Sequence, residues 1–195
     1  MKITFDLEGD ALKPCFNNQV FPNGNHYDPD TRLWCATFYN GKQTLTYVCK
    51  LPEQTRKLPR PYRLNNGDIC WYTRSYHLKT TKVPEKLNNH RIIEIEDYGR
   101  FIHTIAETLD KLHNLGCDIC FKAYGSYWYD RDVLRDNFAK FGIHCNAKIR
   151  GVNPSNWQDN HERSRTAVNK DNQTFMNDAI IQNIEDTVKL FELID

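Results

Sequence analysis

Two acidic residues near the start of the chain, Asp6 and Glu8, stand two positions apart in a strand-like apolar run. In a β-strand, residues i and i+2 project from the same face, so both carboxylates can reach one point. Hydrolysis of a phosphodiester by two divalent cations needs such a convergence, because the carboxylates hold the cations that polarise the phosphate. Carboxylate oxygens suit Mg²⁺ or Mn²⁺. The pair therefore indicates a hard-cation site, although an Asp-x-Glu pair alone is also common at solvated strand ends.

The composition of the chain is typical of a globular protein. Its 195 residues are 39% hydrophobic and 26% charged, which excludes the disordered, collagen-like and coiled-coil classes. No apolar run approaches the length of a transmembrane helix, and the first residues lack the apolar segment of a secretory signal. Seven cysteines, an odd number, in a chain of this kind predict reduced thiols. We therefore expect a single domain over residues 1–195, a cytoplasmic location and no membrane partner.

A basic, proline-rich segment stands out from a chain whose net charge is only +1. Residues 53–91 contain nine basic and three acidic side chains, and the four prolines of residues 52–91 predict an insertion with little regular structure. The exception is one short strand near 69–72. Cationic and aromatic side chains together bind single-stranded nucleic acid, which makes Trp71 and Arg74 candidate contacts. The alternative is a solvated flap without a ligand.

Hydrophobic periodicity and turn residues predict an α/β protein with a mixed sheet covered by helices. Asn40-Gly41 between two aromatic and β-branched runs is a strong hairpin signal. Three antiparallel strands thus precede alternating strands and helices, an order typical of layered α/β domains. The predicted elements are strands at 2–7, 32–39, 43–49, 117–124 and 147–152, helices at 95–115, 130–141 and 174–194, and a loop at 13–31.

Three segments far apart in the chain each set an acid on a particular kind of element. The first carries Asp6 and Glu8 on an apolar strand that runs into a turn. The second places Asp130 after a strand and an aromatic residue, at the start of a helix. The third places Asp178 on the first turn of the last helix. In their order and element types, these segments resemble the three motifs of the DEDD (DnaQ-like) 3′→5′ exonuclease superfamily.

The resemblance implies a ribonuclease-H-like fold and a catalytic site in which four acids hold two Mg²⁺ or Mn²⁺ ions. The implied ligands are Asp6, Glu8, Asp130 and Asp178. The implied reaction is hydrolysis of phosphodiester bonds at the 3′ end of single-stranded DNA or RNA, with release of nucleoside monophosphates. Asp186, two helical turns beyond Asp178, is the alternative last ligand. Asp178 is preferred because it lies near the helix start, and Asp186 is interpreted as solvated helix surface.

The general base of the family is missing from its usual place. The family carries a His five residues, or a Tyr four residues, before the last Asp, and those positions are Gln173 and Thr174 here. Neither side chain accepts a proton near neutral pH. Three interpretations stay open. His161 supplies the base, the cations alone generate hydroxide, or the chain is a catalytically impaired nucleic-acid-binding or regulatory protein on the same scaffold.

Aromatic residues of the second motif predict contacts with a nucleic acid. Tyr127 and Trp128 can stack on the terminal base of a single strand, a mode of binding that tolerates any sequence. With Gln173, Trp71 and Arg74 they form the set of candidate nucleic-acid-binding residues. An endonuclease of the same fold is a third alternative, and no motif distinguishes DNA from RNA.

Overall fold

The computed structural model describes residues 1–10, 32–49, 56–63, 69–74, 90–123, 129–157 and 172–194. The strands in these ranges are β1 (Lys2–Asp10), β2 (Arg32–Tyr39), β3 (Thr44–Cys49), β4 (Arg56–Arg63), β5 (Ile69–Arg74), β6 (His90–Ile95), β7 (Asp118–Lys122) and β8 (Ile149–Val152). The helices are α1 (Tyr98–Asn114), α2 (Tyr129–Lys140) and α3 (Asn172–Leu193). None of these three helices has both the length and the apolar character needed to cross a lipid bilayer.

Six of the strands form one mixed sheet in the order β6-β3-β2-β1-β7-β8. β1 pairs antiparallel with β2, which pairs antiparallel with β3. The other three pairs, β3 with β6, β1 with β7 and β7 with β8, are parallel. The prediction of an α/β protein with a mixed sheet is therefore confirmed. Because β1 lies inside the sheet, hydrogen bonds on both of its edges fix the positions of the side chains that it carries.

The apolar face of this sheet packs against α1. The ring of Phe5 lies 5.8 Å from the ring of Phe38 and 5.7 Å from that of Phe121, measured between centroids. Tyr47 of β3 packs on Phe38, and its hydroxyl shares a 3.0 Å hydrogen bond with Thr108 of α1. The buried side of α1 thus closes a core of aromatic and aliphatic side chains, whose removal from water is the main stabilising term of the fold.

The opposite face of the sheet is more polar and packs against α3. Alternation along β1 places Thr4 and Asp6 on this face, away from Phe5. The Thr4 hydroxyl donates a 2.8 Å hydrogen bond to the backbone carbonyl of Thr187 in α3, and both residues are fully buried. Buried polar groups need partners, so hydrogen bonds as well as apolar contacts determine how α3 lies on the sheet.

The hairpin, the helices and most strands lie where the sequence predicts them. β2 and β3 flank Asn40, whose side-chain oxygen accepts hydrogen bonds from two backbone N–H groups of the turn. α1 begins after Asp97, whose carboxylate accepts a 2.6 Å hydrogen bond from the N–H of Arg100, as an N-cap residue does. The predicted loop at 13–31 lies outside the described residues.

The segment predicted as a largely irregular insertion contains more strand than its sequence indicates. β5 covers the predicted short strand, and β4 pairs with it in a second, two-stranded sheet. The sequence does not predict β4, because Pro59 and Pro61 lack the N–H groups of a regular ladder. The pairing of β4 with β5 is irregular between Arg56 and Arg60. The sequence does not predict β6 either, because the parallel pairing of β6 with β3 joins segments that are distant in the chain.

The turn between β2 and β3 packs on the last turns of α3. Gly41 has a φ of +87°, and a Cβ at this position would lie 2.7 Å from the ring of Phe191. The same ring lies 5.1 Å from the ring of Tyr39 and 4.4 Å from the ammonium of Lys2. Lys2 also donates hydrogen bonds to the backbone carbonyls of Phe191 and Ile194. The end of α3 is thus held by both β1 and the hairpin.

Replacement of Gly41 by alanine tests this contact, and Gly116 offers a matched control. Gly116 also has a positive φ, +72°, but a Cβ there would meet no atom within 4 Å. We expect Gly116→Ala to lower the free energy of unfolding by about 1–2 kcal/mol, the cost of the left-handed backbone. Gly41→Ala should lower it by about 2–4 kcal/mol, because overpacking against Phe191 adds to that cost. Urea denaturation measures both, and equal losses would contradict a tight contact between the turn and α3.

Candidate functional site

Asp6 lies at the centre of a cluster of acids on the α3 side of β1. The pKa of its carboxyl is well above the ordinary value, first because burial removes water from it, and next because of the negative charges of Asp130, Glu8 and Asp186. A hydrogen bond from the backbone N–H of Leu7 acts in the opposite direction. Four acids from β1, α2 and α3 therefore share one electrostatic neighbourhood.

Asp130 reaches this neighbourhood from the first turn of α2. Because β7 runs parallel to β1, the carboxyl ends of both strands lie at the same edge of the sheet, and α2 is the next described element after β7. The side chain of Asp130 is only 5% exposed, and burial raises its pKa to about 8. A carboxyl so far removed from water holds a proton at neutral pH unless a cation replaces it.

Glu8 lies on the same face of β1 as Asp6. Its antiparallel partner is Cys35, a fully buried residue of β2. Burial, and then the charges of Glu8 and Asp6, raise the pKa of the Cys35 thiol well above its ordinary value. The register of β1 with β2 shifts between Glu8 and Gly9. Such irregularities in a ladder occur often next to active sites, where they change the direction of a side chain.

α3 contributes a buried amide as well as an acid. The Nδ2 of Asn183, which is fully buried, donates a 2.7 Å hydrogen bond to Oδ2 of Asp6. Residues three apart on a helix lie on one side of it, so Asp186 follows Asn183 towards β1. Asp186 is partly buried, and Gln182 donates a 3.5 Å hydrogen bond to its Oδ2. Asp186 is therefore partly buried and acts electrostatically on Asp6, whereas the sequence indicates a solvated helix surface.

The structure thus brings together three of the four acids that the sequence predicts as metal ligands, Asp6, Glu8 and Asp130, and adds Asp186 to them. Their role as ligands stays a prediction. The other predicted site residues lie outside the described part of the chain, either entirely or in their side chains, and they are Asp178, Gln173, His161, Tyr127, Trp128, Trp71 and Arg74.

A lysine pair around one tryptophan lies next to the acids, and the sequence analysis does not single it out. The parallel register of β1 and β7 pairs Phe5 with Phe121, so Lys122 follows on β7 where Asp6 follows on β1. Its buried ammonium donates to a backbone carbonyl and, at 2.8 Å, to Oδ1 of Asn153. It lies 5.3 Å from the ring centroid of Trp157, and the ammonium of Lys189 in α3 lies 4.7 Å from the same centroid. A lysine directly after the apolar residues 119–121 of β7 is the signal that could have drawn attention to this group.

The acids fit a divalent cation by chemical type. Carboxylate oxygens are hard donors, which Mg²⁺ and Mn²⁺ prefer. Within the described residues, no group of three or more His, Cys, Asp or Glu side chains is placed so as to hold a metal ion as it stands. The arrangement can therefore do one of two things chemically. It retains protons, as the raised pKa values of Asp6 and Asp130 indicate, or it exchanges them for cations when side chains turn towards a common point.

Comparisons with known proteins do not assign the chain to a family. No model of a protein family matches it, and a search of curated proteins finds no match either.

The raised pKa values predict that the protein without cations loses stability as the pH rises. The folded state holds protons on Asp6 and Asp130 that the unfolded chain releases near its ordinary pKa of about 4. The free energy of unfolding in EDTA should therefore fall by roughly 2–4 kcal/mol between about pH 5 and pH 8. Urea denaturation at a series of pH values measures the slope.

The variant Asp130→Asn should flatten this slope, because it removes one of the two titrating groups. Asp118→Asn is the control. A hydrogen bond from Arg150 lowers the pKa of Asp118, so its contribution to stability is lost only at pH values below about 4. It should leave the slope above pH 5 unchanged. A wild-type protein whose stability is constant between pH 5 and pH 8 would contradict the burial of these acids.

Proposed function

We propose that this protein is a nuclease that uses divalent cations to hydrolyse phosphodiester bonds at the 3′ end of single-stranded nucleic acid, releasing nucleoside monophosphates. The observation that carries the proposal is the convergence of Asp6, Glu8, Asp130 and Asp186 on one electrostatic neighbourhood. The direction of hydrolysis rests on the resemblance of the acidic segments to the motifs of DEDD exonucleases.

The acids need a positively charged partner if they are to be ionised together. Desolvation raises the pKa of Asp6 and of Asp130, and at Asp6 the charges of the neighbouring acids add to the effect. Perturbed acids of this kind cluster at functional sites more often than elsewhere. When bound, a pair of Mg²⁺ or Mn²⁺ ions polarises the phosphate and lowers the pKa of the attacking water. Bound cations would also neutralise the charges of the acids and so remove the repulsion between them. This is the physical reason for preferring a cation site to a purely structural cluster.

Regular secondary structure fixes the backbone positions of the four acids. Asp6 and Glu8 are on a strand paired along both edges, and Asp130 is on the first turn of a helix. Asp186 is on a helix that hydrogen bonds tie to the same strand. A site built on strands and helices holds its groups more accurately than one built on loops.

The group of Lys122, Lys189 and Trp157 supports an anionic, base-bearing substrate. Ammonium groups attract the phosphates of a nucleic acid strand, and an indole ring stacks on bases of any identity. The buried Lys122, against the same ring, is on the strand next to β1, so a nucleic acid held at Trp157 and Lys189 would pass near the acids. The same two properties are what a site for single-stranded DNA or RNA needs.

We further propose that the fold is ribonuclease-H-like. In the six-stranded sheet, β1 carries the first two acids and has the antiparallel β2 and β3 on one side. The parallel β7 and β8 lie on its other side, and the last helix covers the face with the acids. This arrangement is compatible with that fold and agrees with the order of the three acidic segments.

We assign the last ligand to Asp186, with Asp178 as the alternative. Asp186 acts electrostatically on Asp6 and lies one helical turn from Asn183, whose side chain reaches Asp6. At about 100° per residue, position 186 lies about 60° around the helix axis from position 183, whereas position 178 lies about 140° from it. His161 is the candidate general base, and without a base the cations alone would generate the attacking hydroxide.

A catalytically impaired nucleic-acid-binding or regulatory protein is the second candidate. Two observations favour it. Five residues before the last Asp, where the family carries its His, the chain has Ile181 if that Asp is Asp186 and Gln173 if it is Asp178, and neither is a base. In addition, no three acids among the described side chains are placed to hold a metal ion as they stand. This candidate predicts binding to oligonucleotides that weakens with salt, without turnover under any cation.

Nucleotide release from 5′-labelled single-stranded DNA and RNA oligomers tests the proposed function. With Mg²⁺ or Mn²⁺, the wild-type protein should shorten the oligomers one nucleotide at a time from the 3′ end. Asp6→Asn should reduce the rate at least about 100-fold, because removing a charged ligand raises the barrier by about 3 kcal/mol or more. Asp118→Asn, an acid on the far end of β7, is the control and should keep the wild-type rate.

Three results would contradict this assignment in different ways. Equal rates for the wild type and Asp6→Asn would exclude the acids as the catalytic site. Internal fragments instead of a ladder from the 3′ end would indicate an endonuclease. Salt-sensitive binding with no release under either cation would favour the impaired binding protein.

The choice between the two last ligands has its own test. Asp186→Asn should lower the rate of release about 100-fold, because the substitution keeps the shape of the side chain and removes its charge. Asp178→Asn should change the rate by less than about three-fold, as substitutions away from a site do. The same assay at saturating Mg²⁺ measures both variants. The reverse order of effects would assign the ligand to Asp178.

A further inference from the structure

The amide of Asn183 is the one buried, uncharged polar side chain on α3 that contacts an acid of the cluster within the described residues. It has no exposed surface, and its Nδ2 lies 2.7 Å from Oδ2 of Asp6. Hydrogen bonds to a charged group are among the stronger ones in proteins. A donor in this position stabilises the ionised form of Asp6, which the neighbouring acids destabilise.

The thiol of Cys35 determines which way the amide points. Its Sγ lies 3.6 Å from Oδ1 of Asn183, and both side chains are fully buried. The S–H of Cys35 donates and Oδ1 of Asn183 accepts, since an amide oxygen is an acceptor only. The amide nitrogen is therefore left to face Asp6. The opposite orientation would set the amide oxygen against a carboxylate oxygen and leave the thiol without its acceptor.

Hydrogen bonds from threonine hydroxyls to backbone carbonyls hold the part of α3 around Asn183 against β1. The hydroxyl of Thr187 donates a 2.6 Å hydrogen bond to the backbone carbonyl of Asn183. The hydroxyl of Thr4 in turn donates to the carbonyl of Thr187 at 2.8 Å. β1 and α3 are thus joined at two points, Thr4 with Thr187 and Asp6 with Asn183, which lie two residues apart on β1 and four residues apart on α3.

We propose that Asn183 is a positioning residue, which holds Oδ2 of Asp6 by a hydrogen bond and so leaves Oδ1 as the edge that Asp6 offers to a cation. The inference rests on the proposed function, because it gives Asn183 a role in the same site. An aspartate at this position would add another negative charge to four acids. An alanine would leave Asp6 free to turn between rotamers, which lowers the fraction of time that it spends in the orientation for binding.

Cation-dependent thermal stability of the full-length protein tests the role of Asn183. The melting temperature is measured in EDTA and over a titration with Mg²⁺ or Mn²⁺, for the wild type, Asn183→Ala and the isosteric Asn183→Asp. We expect the cation concentration at half-maximal stabilisation to rise about ten-fold or more in Asn183→Ala, as it does when groups that orient metal ligands are removed. Glu192→Gln, an exposed position on the same helix, is the control and should match the wild type.

The variant Asn183→Asp keeps the size of the side chain and so separates charge from packing. Its melting temperature in EDTA at pH 8 should be lower than that of the wild type, and cations should raise it by more than they raise the wild type. Its rate of nucleotide release should fall at least about ten-fold at saturating cation, since Asp6 loses its donor. A purely structural role would instead lower the melting temperature of both variants equally with and without cations, and that result would overturn the inference.

A double-mutant cycle in EDTA separates failure of this inference from failure of the proposed function. If Asn183 holds Asp6, the effects of Asp6→Ala and Asn183→Ala on the unfolding equilibrium constant should depart from additivity by about ten-fold. Additive effects, with a wild type that still responds to cations, would overturn the role of Asn183 and leave the proposed function intact. A wild type whose melting temperature ignores both cations would overturn the cation site and the positioning role with it.

Discussion

The confinement of negative charge next to a buried strand is the constraint on which the rest of the site depends. Asp130 is buried and Asp6 is partly buried, and the charges of Glu8 and Asp186 act on Asp6 as well. Such a cluster is stable only with protons or with cations, because desolvation and like charges both disfavour ionisation. The elements around it are therefore best understood by how they bring these carboxylates together and keep them there.

The two faces of the sheet contribute differently to holding the carboxylates in place. On the α1 side, Phe5, Phe38 and Phe121 pack into an apolar core that stabilises the sheet. On the α3 side, hydrogen bonds from Thr4 and Asn183 connect β1 with the last helix. Burial of polar groups stabilises a fold only when each finds a partner, so this face gains less from the hydrophobic effect. The acids lie on the face where the structure already relies on polar contacts.

Local patterns predicted the elements whose formation depends on neighbours in the sequence. The hairpin around Asn40 follows from turn chemistry, and the bounds of α1 follow from periodicity and the cap at Asp97. The same reasoning does not find β4, which contains two prolines, or β6, which pairs in parallel with β3. The prolines of β4 hide its strand pattern, and β6 depends on a partner that is distant in the chain.

The sequence by itself determined that Asp6 and Glu8 share one face of a strand, since the alternation of side chains is a property of the extended backbone. It also indicated that Asp130 begins a helix after a second strand. Only the tertiary structure decided which side of α3 meets that face. The rotation of a helix about its own axis is set by packing against the sheet, and this packing turned Asn183 and Asp186 towards Asp6. The register of β7 against β1 likewise decided that Lys122 follows on β7 where Asp6 follows on β1, because strand pairing is a contact between distant residues.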